Sequence, residues 1–181
     1  GPYDFKRKSI DGLGDDWPIG YDDLKPFYDK VDRLVGIFGT VENLPNEPDG
    51  IFLPPPKPRC YELLIKEASN RLNIPVIPSR LSILTQPHNG RQQCHYCSQC
   101  GRSCQTNSNF SSTGVLIPPA MQTGRMTLVT NAMAREVTVD ANGLADGVAY
   151  IDTTTHRENH VKARIVVVAA SACESARLLL N

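Results

Sequence analysis

The chain has no surplus of either charge: Lys plus Arg and Asp plus Glu are 19 each, so the formal net charge of its 181 residues is zero. A nucleic-acid-binding surface shows as a basic excess or stripe. None is present, which argues against a nucleic-acid partner. No segment approaches the roughly 18 consecutive apolar residues of a membrane span. The longest apolar stretch, Ile165 to Ala172, is strand-sized. Gly1-Pro2-Tyr3-Asp4 lacks the basic-then-apolar order of a secretory signal. Phosphate-cradling loops are missing as well, with no P-loop and no G-x-G-x-x-G fingerprint. Gly12-Leu13-Gly14 follows no strand and reads as a turn. His88, His156 and His160 have no triad-like companions, and no internal repeat is visible.

What remains is enough for a globular fold. Hydrophobic residues make up 40% of the chain, a share that can bury a core in one domain, or in one domain with a large insertion. Trp17-Pro18 is the strong anchor of an otherwise polar first stretch. Leu24, Phe27, Tyr28, Val31, Leu34 and Val35 recur at three- and four-residue steps and predict a helix, with Asp23 as N-cap and Pro26 in its first turn. Asp15, Asp16, Asp22 and Asp23 read as caps and loop solvators rather than a catalytic pair. The proline-rich stretch from Pro45 to Pro58 reads as a stiff connector. A second helix is expected from Cys60 to Leu72, with Cys60 as a small buried hydrophobe.

Beyond it, Ile74 to Ser82 suggests a strand interrupted by prolines, and Val115 to Gln122 a short helix. Met126 to Thr130, Arg135 to Val139 and Gly147 to Ile151 read as strands, the last two joined by the turn signal Asp140-Ala141-Asn142-Gly143. Thr153 to Asn159 reads as a polar turn. The β-branched run Ile165-Val166-Val167-Val168-Ala169 has the character of a buried parallel strand. It leads through Ala170-Ser171-Ala172, small residues that let a backbone approach a ligand, into an apolar helix. The fold class expected is α+β or α/β.

The most specific chemistry lies in a loop at residues 90–106. Cys94, Cys97, Cys100 and Cys104 form a C-x2-C-x2-C-x3-C run. Thiolates at such spacing hold iron–sulfur clusters, and four of them also satisfy zinc. Bacterial ferredoxin loops usually continue with Pro, where this chain has Gln105 and no second run. Three outcomes stay open: a [4Fe-4S] cluster on all four, a [3Fe-4S] cluster on three, or zinc. Redox disulfides are a further alternative, and His95 inside the loop is more a neighbour of bound sulfur than a ligand. On these residues alone, a stand-alone electron-transfer module or a zinc-stabilised structural domain competes with an enzyme.

Taken together, three blocks resemble the glucose-methanol-choline (GMC) flavoprotein oxidoreductases. They are Asp15-Asp16-Trp17-Pro18-Ile19 with Tyr21 to Tyr28; Gly124 to Ala132 with Arg135-Glu136-Val137; and Val166 to Leu180. The last resembles the family's "AAGA-x-x-SP-x-LLL" signature, with Ser171 where Gly is usual and Ala176 where Pro is usual. The resemblance implies the middle part of such a flavoprotein: a substrate-domain segment with the cysteine loop at 1–112, and an FAD-binding segment at 113–181. It implies FAD as cofactor, with Ala134 offering backbone bonds to adenine and Ala169, Ala170 and Ser171 lining the cleft.

The family's dinucleotide fingerprint would then lie before Gly1 and its catalytic His after Asn181, so none of this chain's residues is expected to be catalytic. Alone, the chain is expected to be inactive. A subset of bacterial sugar and gluconate dehydrogenases carries a cysteine-rich insertion here. Resemblance to it implies an iron–sulfur relay, an alcohol or sugar substrate, a cytochrome c partner with a small accessory subunit, and a periplasmic or membrane-associated setting.

Overall fold

The computed structural model describes residues 1–180. Its contacts divide into two units, Gly1–Thr123 and Gly124–Asn181. The sequence reading placed the division at 112/113; the turn at Ser112–Leu116 and the helix that follows it pack together in the first unit.

The first unit begins with a 3-10 turn at Pro2–Lys6 and a short helix α1 (Arg7–Asp11). Trp17 packs edge-on against Phe5, with ring centroids 6.2 Å apart, and its N–H reaches the Phe5 carbonyl at 2.9 Å. The predicted amphipathic helix is α2 (Tyr21–Val35). It starts earlier than expected: Gly20 is the N-cap, and Asp23 is the third helical residue, its carboxylate accepting the Gly20 N–H at 2.7 Å. That places Pro26 inside the helix rather than in its first turn. The apolar stripe is present but largely uncovered, with Phe27 65% and Leu34 50% exposed.

Gly36 ends α2 in the left-handed conformation, φ +78°, its N–H bonded to Asp32 O at 2.8 Å. A Cβ here would stand 2.5 Å from Leu84 and 2.9 Å from His88, so backbone freedom and close approach both require glycine. Two short parallel strands follow, β1 (Ile37–Phe38) and β2 (Phe52–Leu53). Arg80 ties the connector between them, donating to Pro48 O at 2.6 Å and to Asp49 at 3.0 Å while lying 4.7 Å over the Phe52 ring.

Helix α3 spans Cys60–Asn70, and Cys60 is exposed, not buried. It stands in the first turn of a helix whose own apolar residues, Leu64 and Ile65, are themselves 67% and 54% exposed. Ile74 to Ser82 forms no strand; a single antiparallel bridge joins Leu81 to Phe38. Pro75 and Pro78 withhold the N–H groups that a ladder needs. Helix α4 (Ile117–Gln122) continues the turn at Ser112–Leu116.

The second unit is an antiparallel meander, β3 (Ala132–Val139), β4 (Ala145–Asp152) and β5 (Glu158–Lys162), followed by helix α5 (Ser171–Leu180). The β3–β4 turn is held by Asp140, whose carboxylate accepts N–H bonds from Asn142 at 2.8 Å and Leu144 at 3.0 Å. These bonds keep the Asp140 carboxyl below its ordinary range. Met126 to Thr130 forms no strand, and the polar turn expected at Thr153 to Asn159 gives way at Glu158 to β5, which runs on to Lys162.

The β-branched run 165–169 pairs with no strand among the described residues. It keeps a pleated alternation, with Val166 and Val168 half-buried while Ile165 is 81% and Val167 82% exposed. β-branching supplies extended backbone; a ladder also needs a neighbour.

Buried apolar residues are few among those described: Val35, Phe38 and Leu84 in the first unit, Ala149 and Leu178 in the second. No helix described is long and apolar enough to cross a membrane. Replacing Gly36 with Ala adds a left-handed penalty and a clash with Leu84, together about 3 kcal/mol. Denaturant unfolding followed by Trp17 fluorescence is expected to show that loss, whereas Gly12→Ala, where nothing lies within 4 Å, is expected to show only the backbone share.

Candidate functional site

Two sets of residues carry chemistry, one in each unit. The cysteine loop is anchored at its base by buried backbone. Leu84, fully buried, gives its N–H to Ser108 O at 3.0 Å and accepts the Cys94 N–H at 2.8 Å. Beside it, Phe110 N–H bonds Ser82 O at 2.9 Å. Arg91 reaches the carbonyls of Asn107 and Val35, tying both ends of the loop to the end of α2. His88 Nε2 lies 2.6 Å from the Arg33 carbonyl near the end of α2.

From this base the loop winds outward through left-handed residues Tyr96, Ser98 and Ser103. Cys94 and Cys104 are half-buried at the base, while Cys97 and Cys100 are exposed. Tyr96 N–H points at Cys94 Sγ at 3.3 Å. Cys104 Sγ lies 3.4 Å from both Thr106 Oγ1 and the buried Ser108 Oγ. With the Asn109 N–H, the largest contribution, these donors stabilise the thiolate and lower the Cys104 pKa from 9.0 to about 6.

All four sulfur-bearing residues line one cavity of about 770 Å³, together with His95 and an apolar wall that includes Pro56, Val76 and Ile83. Sharing a cavity is not yet a metal site. Among the described residues no three Cys, His, Asp or Glu side chains come together as ligands. The four sulfurs do not converge on one point in this structure, while their spacing and the N–H group directed at Cys94 Sγ are those of a ligand loop.

The second set lies in the other unit. Ala134 is half-buried on β3, where the register slips: it pairs with Tyr150 and Glu136 with Ala149, so the strand bulges at Arg135. Arg177 of α5 donates to the Ala134 carbonyl at 2.8 Å and to the Arg135 carbonyl at 3.1 Å. Ala169 is exposed and Ala170 half-buried, its N–H bonded to Ser175 Oγ at 3.2 Å.

Ser171 opens α5 at φ +65°, a conformation that favours glycine. About 9 Å of helix rise separates Ser171 from Arg177, so α5 links the small-residue turn to the bulge. Small side chains with a bare turn and a free strand edge suit the adenosine half of a dinucleotide. The remaining histidines of this unit stay outside the arrangement: His156 is exposed in a turn, and His160 bonds Thr138 Oγ1 at 2.8 Å.

Sequence reasoning missed Arg177, because an Arg on an amphipathic helix reads as a solvated residue. The signal was its spacing, six residues into the helix that follows the small-residue turn. It missed the anchoring of Cys104 for a similar reason, since Thr106 and Ser108 read as loop polarity.

A family model described as GMC oxidoreductase matches residues 56–181. The chain is 35% identical to 2-methyl-1,2-propanediol dehydrogenase of Mycolicibacterium austroafricanum over 99% of its own length and 33% of the relative's. It is 30% identical to paromamine 6'-oxidase of Streptomyces fradiae and 25% identical to the fructose dehydrogenase large subunit of Gluconobacter japonicus, with the same coverage. The chain belongs to the GMC oxidoreductase family, and spans about a third of the length of the curated relatives it matches. Membership implies FAD as the cofactor of the whole protein.

The Cys104 arrangement has a pH signature. Thiolate is the reactive form, so alkylation of Cys104 by iodoacetamide, followed by peptide mass spectrometry, is expected to rise with a midpoint near pH 6. Ser108→Ala removes a stabilising donor and is expected to move that midpoint upward. A depressed folded-state pKa also adds stability at high pH that fades as pH falls from about 9 toward about 6.

Proposed function

We propose that the chain is part of an FAD-dependent dehydrogenase that oxidises the CH-OH group of an alcohol or sugar. The observation that carries this reading is the joining, through α5, of the bulge at Ala134 to the small-residue turn at Ala169, Ala170 and Ser171. When bound, FAD supplies acceptance of a hydride from the alcohol carbon. The residues of this chain bind and orient. Ala134 would hold adenine through its backbone, and the Ala169–Ser171 turn would let the cofactor lie close because no long side chain intervenes. No residue of this chain is assigned the role of base; that proton acceptor is proposed to come from elsewhere in the enzyme. In isolation the chain is therefore proposed to lack turnover.

The alcohol classes in the relatives' names, a diol, an aminoglycoside and a sugar, support a polyhydroxylated substrate. One relative is a large subunit, which supports an assembly with further subunits; that a cytochrome c is among them is part of the proposal and rests on the resemblance of the cysteine loop. A periplasmic or membrane-associated setting goes with that assembly. We further propose that Cys94, Cys97, Cys100 and Cys104 are iron–sulfur ligands whose loop closes on loading. Support comes from their spacing and their common cavity, and from the general rule that metal sites form as metal binds.

The test is made on the longest natural polypeptide that contains this chain. Anaerobic addition of a polyol is expected to remove the absorption of oxidised bound flavin, and acid extraction to release FAD. Protein purified without flavin, or with flavin that no alcohol affects, would contradict the reading. In the same preparation iron and acid-labile sulfide are expected in a ratio near unity. Zinc in their place, or no metal, would remove the cluster while leaving the flavin claim standing.

A further inference from the structure

We propose that Arg177 is a positioning residue for recognition of the adenine ring, acting through the peptide of Ala134. The inference rests on the flavin reading above and adds to it the group that sets its geometry.

The β3–β4 ladder breaks at Ala134, because the pairs Ala134 with Tyr150 and Glu136 with Ala149 leave Arg135 in excess. A bulge shifts the ladder's register and redirects the local peptides. At this bulge a side chain from another element donates to two of their carbonyls. The Arg177 guanidinium uses three of its nitrogens at once: Nη2 to the Ala134 carbonyl at 2.8 Å, Nη1 to the Arg135 carbonyl at 3.1 Å, and Nε to Glu174 at 2.9 Å. Glu174 lies one turn earlier on α5, so it holds the guanidinium in place on its own helix.

This fork has two consequences. It fixes the direction of two successive carbonyls with a rigid, planar donor, which a lysine ammonium cannot reproduce. A carbonyl oxygen can accept two bonds, and β3 is an outer strand of its sheet, so the proposal gives the second bond at the Ala134 oxygen to adenine. The direction of that second acceptor site is set by Arg177. The exocyclic amino group of adenine is a donor of the kind such an acceptor selects. Arg177 itself need not touch the cofactor; its effect passes through the peptide.

The test uses the full-length flavoprotein, stripped of flavin and titrated by fluorescence quenching with two dinucleotides. One is FAD; the other is its hypoxanthine analogue, in which oxygen replaces the adenine amino group. Wild type is expected to prefer FAD by roughly tenfold, the usual worth of one such bond. Arg177→Ala is expected to bring that preference close to unity, and Arg177→Lys to an intermediate value. A merely structural role would weaken both ligands together and leave their ratio unchanged, so an unchanged ratio in Arg177→Ala overturns the proposal.

Should the alanine variant fail to fold, Arg177→Lys decides by the same ratio. Wild type that binds FAD without preferring it also overturns the proposal, and leaves the flavin reading intact. Wild type that binds neither dinucleotide overturns both.

Discussion

The first unit depends on one buried peptide. Leu84 has no exposed surface, so its N–H and C=O must both find partners inside the fold, and they find them at the two ends of the cysteine loop, Ser108 and Cys94. A buried peptide group left unpaired is costly, and this requirement fixes where the loop begins and returns. It also fixes which thiols are held and which are free. Cys94 and Cys104 sit near the paired backbone, while Cys97 and Cys100 lie on the outward arc beyond it. Gly36 serves the same point from the other side, since any side chain there would press on Leu84.

The second unit solves a comparable problem differently. At its bulge a guanidinium from α5 donates to two successive carbonyls. In each unit the chemistry-bearing residues stand where regular pairing has been interrupted and repaired. A loop of left-handed residues presents thiols; a bulge and a left-handed serine present bare backbone. Family membership makes the second arrangement intelligible as part of a flavoprotein, and the thiol loop is carried on the same chain.

Sequence pattern reached the elements whose stabilising contacts are local. The stripe from Leu24 to Val35 made α2 legible, and Asp140 to Gly143 made the β3–β4 hairpin legible. Its failures share a cause. Residues 165–169 have strand chemistry without a pairing neighbour among the described residues, and Ile74 to Ser82 lost its ladder to proline. Strand β5 is polar at both ends, and its pairing with β4 rather than its composition makes it a strand. The cysteine spacing was plain, but whether sulfurs converge depends on tertiary placement, which spacing does not encode. Arg177 was illegible because its partners lie more than forty residues away in sequence. The signature around it nevertheless led to the right helix.

The central claim is that the unit beginning at Gly124 holds the adenine half of FAD. Photolabelling the full-length flavin-free protein with 8-azido-FAD, followed by peptide mapping, tests it most directly. The account predicts label within residues 131–136 or 169–177, suppressed by excess FAD. Label confined to other segments, with these peptides untouched, would contradict it.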